Sequence, residues 1–128
     1  MATSTSNPVG WFEIGTDDPD TAQAFYGDVF GWTFIEQDGY RIITTGKDDP
    51  LQGGIQDTTA PGLSEGTPRT YAVPCIQVED VAAAAADIEA HGGKVTVPAT
   101  AMPTGLVYAR FTDPAGNQMA LFSPPPQP

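Results

Sequence analysis

The 128-residue chain carries sixteen acidic residues against five basic ones, a net charge of -11, with 40% hydrophobic and 9% aromatic content. That charge repels phosphate backbones and anionic lipid surfaces, so neither nucleic acid nor a membrane is an expected partner. The apolar share suits one compact domain with its own core, and no run approaches the roughly 20 apolar residues of a membrane span.

Met1 to Asn7 is small and polar, without the basic start or apolar stretch of a secretory signal, so a cytoplasmic location is expected. An internal repeat organises the rest of the chain. A shift of 62 residues lays Asp18 on Asp80, Ala22 on Ala84, Tyr26 on Ile88 and Gly31 on Gly93. Each half opens with a strand rich in β-branched and aromatic residues, Val9 to Gly15 and Tyr71 to Val78. A helix follows each time. Asp18 and Asp80 are suited to cap it, because a short carboxylate accepts a hydrogen bond from the unpaired N–H groups of the first turn, and Pro19 suits the first helical position. Ala22, Phe25, Tyr26, Val29 and Phe30 form one apolar stripe, and Val81, Ala84, Ala85 and Ile88 form the other, so each helix is expected to bury one face. Gly31 and the pair Gly92-Gly93 are the expected stops.

Three strands are expected after each helix: Trp32 to Glu36, Tyr40 to Thr45 and Gln52 to Gln56, then Lys94 to Pro98, Leu106 to Thr112 and Gln118 to Ser123. The plan is βαβββ, twice, an α+β arrangement spanning residues 8–123. The modules cover 8–57 and 69–123. Residues 58–68, rich in Gly, Pro, Ser and Thr, read as the linker. Asp113-Pro114-Ala115-Gly116-Asn117 reads as the turn of the last hairpin. Residues 1–7 and the proline-rich 124–128 read as flexible tails. Cys75, the only cysteine, cannot close an internal disulfide, which agrees with a reducing compartment.

The tandem βαβββ plan, the stretch from Asp18 to Tyr26, Val29-Phe30-Gly31-Trp32, and Asp113 to Asn117 together resemble the vicinal-oxygen-chelate superfamily of glyoxalases, bleomycin-resistance proteins and extradiol dioxygenases. The resemblance covers nearly the whole chain. It implies two modules, each a curved mixed sheet around a cavity where ligands bind, and frequent pairing of modules between chains, so a homodimer is one expected arrangement and pairing of the two modules within one chain is the other, between which the sequence does not decide. Relatives that use metal place His, Glu or Gln at set strand positions to chelate a divalent ion. Mapped here, the first-strand positions fall on Trp11 and Val73 and the last-strand carboxylate on Ala120, none of which offers a lone pair to a metal. A fourth position lies near Gly53 to Gln56, where the sequence sets no register, and Gln56 alone would not hold an ion. No cofactor is expected. A divalent metal enters only if that register is misread.

Strand alternation gives the cavity another lining. With Trp11 inward, Glu13 is inward too, joined by Tyr71, Val73, Cys75 and Gln77, by Gln118, Ala120 and Phe122, and by their hairpin partners Tyr108, Arg110 and Thr112. Aromatic area with a few polar groups is the usual makeup of a small-molecule pocket. The expected ligand-binding residues are therefore Trp11, Glu13, Tyr71, Cys75, Gln77, Tyr108, Arg110, Gln118 and Phe122. Glu13 is the candidate catalytic group, since a carboxylate desolvated among aromatic rings is tuned toward general-base work. A salt bridge to Arg110 without chemistry is the competing account, and Arg110 could otherwise hold a ligand carboxylate in bidentate fashion. Cys75 reads as packing. His91, at a helix C-terminus, reads as structural, and Trp32 reads as packing near a module junction.

Three readings arise from different classes. The first is a metal-independent protein that binds a small planar or amphipathic molecule, for resistance or sequestration. The second is a glyoxalase- or dioxygenase-like enzyme, a lyase or oxidoreductase with an atypical metal site or Glu13-based acid/base chemistry. The third is a module acting through protein partners.

Overall fold

The structure, a computed structural model, describes residues 6–63 and 65–125. Of the expected tails, residues 1–5 and 126–128 lie outside the described residues. The elements run β1 (Val9–Thr16), α1 (Pro19–Phe30), β2 (Thr33–Gln37), β3 (Tyr40–Thr44), β4 (Gln52–Asp57), β5 (Tyr71–Gln77), α2 (Val81–Ala90), β6 (Lys94–Ala101), β7 (Val107–Thr112) and β8 (Gln118–Ser123). This is βαβββ twice, as the repeat predicts. Trp32, Thr45, Val78 and Leu106 fall just outside the strands expected to hold them. β6 runs on past Pro98, where the expectation stopped it. Its register against β7 shifts between Val95 and Val97 and again between Val97 and Thr100, and such irregularities let a strand carry a proline that cannot donate to the ladder. Among the described residues no helix is long and apolar enough to cross a membrane.

The chain forms two compact units, one from Trp11 to Val73 and the other from the residues up to Gly10 together with those from Pro74 onward. In the first unit the strand order is β2-β3-β4-β1, with β1 parallel to β4 and the remaining pairs antiparallel. In the second it is β5-β8-β7-β6, with β5 parallel to β8. Each unit thus repeats one connection plan around its own helix.

In the first unit α1 begins at Asp18, whose carboxylate accepts from the Thr21 N–H at 3.2 Å and the Thr21 hydroxyl at 2.7 Å. These two bonds, the hydroxyl's first, hold the Asp18 carboxyl below the usual carboxylate range. The helix stops at Gly31, which takes a left-handed conformation with φ of 73°. Arg41 on β3 ties the helix to the sheet, donating to Gln23 at 3.1 Å and pairing with Asp20 at 2.6 Å. The expected burial of α1 does not hold. No α1 residue is buried, and Phe25, Val29 and Phe30 are 54%, 58% and 58% exposed. Periodicity identifies the apolar side of a helix without specifying what covers it. The partly buried Tyr26 ring stacks on Trp32 at 5.1 Å, and Trp32 meets Phe12 edge-on at 5.7 Å. Trp32 therefore packs inside the first unit.

In the second unit Asp80 caps α2 by accepting from the Ala83 N–H at 3.0 Å. Val81 is buried with Ala109 and Leu121, and Ile76, Val78, Ala84, Ile88, Val107 and Phe111 pack around them. The helix ends one residue before its expected glycine stop: His91 is the cap, Gly92 follows at φ of 95°, and the His91 Nδ1 lies 2.8 Å from the Asp87 carbonyl. A carbonyl only accepts, so Nδ1 carries the proton there. The β7–β8 turn closes on Asp113, whose carboxylate accepts from the N–H groups of Ala115 and Asn117 and from the Asn117 amide. Those bonds, chiefly the one from the Asn117 side chain, hold its carboxyl below the usual range.

Candidate functional site

The parallel register of β1 and β4 pairs Trp11 with Gln52, Glu13 with Gly54 and Gly15 with Gln56, which puts all six on one face of the first sheet. Gly54 pairs in turn with Ile42 on β3, so Tyr40, two residues before Ile42, shares that face. The opposite face carries Phe12, Arg41, Ile43 and Ile55 and receives α1, with Ile43 and Ile55 fully buried.

A hydrogen-bonded cluster centres on Glu13. One carboxylate oxygen accepts from the Tyr40 hydroxyl at 3.0 Å, and the other accepts from the Tyr71 hydroxyl at 2.5 Å. The Trp11 indole N–H donates to the Tyr40 hydroxyl at 3.0 Å. All four residues are half-buried, and each proton in the chain points toward the carboxylate. Two phenols and an indole thus converge on a single carboxylate, each of whose oxygens accepts a hydrogen bond from a protein donor.

Glycines make this arrangement possible. A Cβ on Gly54 would fall inside the Tyr40 phenol, and one on Gly15 would fall inside the Tyr71 ring. On the opposite face Gly53 does the same for Phe12, whose Cε1 would be 2.5 Å from an added Cβ. Each ring lies flat across a strand where a side chain would otherwise stand.

Three of the expected ligand-facing residues, Trp11, Glu13 and Tyr71, therefore meet in the first unit. Tyr40 joins them although sequence reasoning missed it; its signal was the glycine at position 54, which pairs with Glu13 on the neighbouring strand. The other six stand in the second unit. There Arg110 and Cys75 flank Ala120, Tyr108 and Gln77 flank Phe122, and Gln118 pairs with Thr112, so the expected hairpin partners are the observed ones. Cys75 and Ala120 are both 7% exposed.

Trp11, Val73 and Ala120, the positions to which the resemblance assigns metal ligands, carry an indole, an isopropyl group and a methyl group. The β4 amides on the Glu13 face are Gln52, which donates to the Thr44 hydroxyl, and Gln56, which donates to the Asp57 carbonyl. Among the described residues no three His, Cys, Asp or Glu side chains come together in a way that could hold a metal ion. This donor set does not fit a divalent cation, which needs about three protein ligands with lone pairs at an open site.

A family model described as Glyoxalase/Bleomycin resistance protein/Dioxygenase superfamily matches residues 9–121. The chain belongs to that superfamily. Among curated proteins it is 33% identical over 122 residues to "Putative glyoxylase CFP32" of Mycobacterium bovis and to the protein of the same name from Mycobacterium tuberculosis. The match takes in 91% of this chain and 44% of the relative, so the chain spans less than half the length of these proteins. Among solved structures it is similar to methylmalonyl-CoA epimerase from Mycobacterium tuberculosis, with a TM-score of 0.61 at 17% identity over 91% of this chain and 87% of that one. A hypothetical protein from Bacillus halodurans C-125 gives a TM-score of 0.66 at 13% identity, covering 97% and 99% of the two chains. At such identities the structural likeness speaks for the fold, and chemistry rests on the residues themselves.

Proposed function

We propose that this superfamily member binds a small planar or amphipathic molecule without a metal, using the Trp11, Tyr40 and Tyr71 rings as walls and Glu13 as the polar anchor, and that it serves to sequester that molecule. The observation that carries this reading is the half-buried cluster in which three aromatic side chains converge by hydrogen bonds on one carboxylate. Apolar area supplies affinity in such a site, and a few placed polar groups fix orientation. The side chains at Trp11, Val73 and Ala120 argue against an ion as the organising element. In the second unit the row of Cys75, Gln77, Tyr108, Arg110, Gln118 and Phe122 is the proposed ligand-facing surface. The exposed Phe25, Val29 and Phe30 of α1 support homodimer pairing, since apolar side chains grouped on a helix mark a surface that another protein covers. The proposed setting is the cytoplasm, where Cys75 stays reduced.

A screen of planar and amphipathic compounds by calorimetry on chelator-treated protein tests this reading. Binding that survives the chelator and weakens tenfold or more in Tyr40→Ala or Tyr71→Ala supports it, and binding that needs an added metal ion refutes it.

A second reading, catalysis, is favoured by the 2.5 Å contact between the Tyr71 hydroxyl and Glu13. In this reading Glu13 takes a proton from the substrate, the Tyr71 phenol gives its own proton to the substrate, and the protonated Glu13 then restores the phenol, so the pair acts as general base and general acid in turn. The curated relatives that carry the name glyoxylase support an enzyme. Glu13→Gln separates the two accounts: it abolishes turnover in the second, whereas in the first it alters affinity alone.

A further inference from the structure

Successive side chains on one face of a strand stand about 7 Å apart, and β1 offers three such positions in a row around its carboxylate. Trp11 fills the first and Glu13 the second. The third is Gly15, where the Tyr71 ring takes the space a side chain would need. Directly across from Glu13 on β4, the Tyr40 ring covers Gly54 in the same way. Aromatic groups therefore flank the carboxylate on three sides. Each phenol lies over strand backbone, so one ring face meets the sheet and the other looks away from it. Trp11, Glu13, Tyr40 and Tyr71 all keep part of their surface exposed.

Such a frame selects for positive charge. The face of an aromatic ring carries the negative part of its quadrupole and attracts a cation within about 6 Å of its centroid. A cation seated against Glu13 has three aromatic side chains within about one such strand step. The two phenols that bond to the carboxylate are neutral donors, so they orient it and add no positive charge to it. Sixteen acidic residues against five basic ones add a field that gathers cations and repels anions. An anionic ligand would meet both the carboxylate and that field, and a neutral one would gain from buried area alone.

Resting on the reading that this cluster holds a small molecule, we propose that its ligand is an organic cation, an alkylated ammonium on an apolar body, with the charged head against Glu13 between the Tyr40, Tyr71 and Trp11 side chains. Phenyltrimethylammonium is the probe, and tert-butylbenzene, of the same shape without the charge, is its control. Calorimetry and ligand-observed NMR read both on the full chain without added metal. The cation binds at least about tenfold more tightly than the control, and added salt narrows that ratio. Tyr71→Leu, which removes a ring face, and Glu13→Gln, which keeps the side chain's shape and removes its charge, each cut the ratio several-fold; the second serves where the first fails to fold. Equal affinity for the two probes overturns the proposal and leaves metal-free binding standing. A ratio that persists undiminished in both variants overturns it as well, because the cation then sits elsewhere. Failure of the wild type to bind phenyltrimethylammonium also overturns it, whereas the proposed function falls only when the wider compound screen is blank too.

Discussion

Gly54→Ala tests the geometry of the Glu13 cluster without altering any polar group in it. The added methyl falls inside the Tyr40 phenol, so the ring has to leave its place across β4. Two hydrogen bonds go with it: Tyr40 to Glu13 and Trp11 to Tyr40, both at 3.0 Å. A bond to a charged group contributes about 1.5–3 kcal/mol and a neutral one about 0.5–1.5 kcal/mol, values that partial exposure reduces by roughly half. Replacing glycine offsets about 0.5–1 kcal/mol through the entropy of the unfolded chain. The expected net loss is roughly 1 kcal/mol, or about 3–5 °C in melting temperature for a domain of this size. Denaturant unfolding of wild type, Gly54→Ala, Tyr40→Ala and the double variant measures it. With Tyr40 removed there is nothing left to displace, so Gly54→Ala becomes neutral or stabilising. An equal cost with and without Tyr40 would refute the claim that the glycine exists to seat this ring.

Gly31→Ala costs about 1 kcal/mol through left-handed backbone strain alone, because open space surrounds its missing side chain; urea melts check it. Phe30→Ser changes monomer stability by less than about 1 kcal/mol because the ring is 58% exposed, yet it weakens self-association measured by sedimentation; a large loss of stability with unchanged sedimentation would contradict the proposed dimer face. Asp18, Asp57 and Asp113 all have carboxyls lowered by hydrogen bonds, from Thr21, Thr59 and Asn117 respectively. A lowered folded-state pKa gives stability that is complete above the unfolded value, about 3.9, and is lost as pH falls through the folded one. Denaturant midpoints should therefore drop below about pH 4, and Asp113→Asn should flatten the drop.

Much of the fold was legible because local chemistry dictates it. The caps Asp18 and Asp80, the Gly31 stop and the Asp113 turn each need only nearby backbone, and the repeat fixed the connection plan. Alternation along β7 and β8 also gave the true partners, since a short turn ties their register. Tyr40 was not legible for the opposite reason. Its place beside Glu13 depends on the register of β3 on β4 and of β4 on β1, and the 45–51 connection leaves the first of these open. The glycines at 15, 53 and 54 carried the missing information, but a strand glycine announces close approach without naming the partner. The exposure of α1 was invisible because an apolar stripe records a preference for burial and leaves the covering surface unspecified.

The most direct test of the metal-free account is the metal content of purified, untagged protein by elemental mass spectrometry, with calorimetric titrations of nickel, zinc, manganese and iron. The account predicts substoichiometric metal and no binding heat, because Trp11, Val73 and Ala120 offer no donors. One tightly held ion per chain would contradict it and move a metal-dependent enzyme to the front.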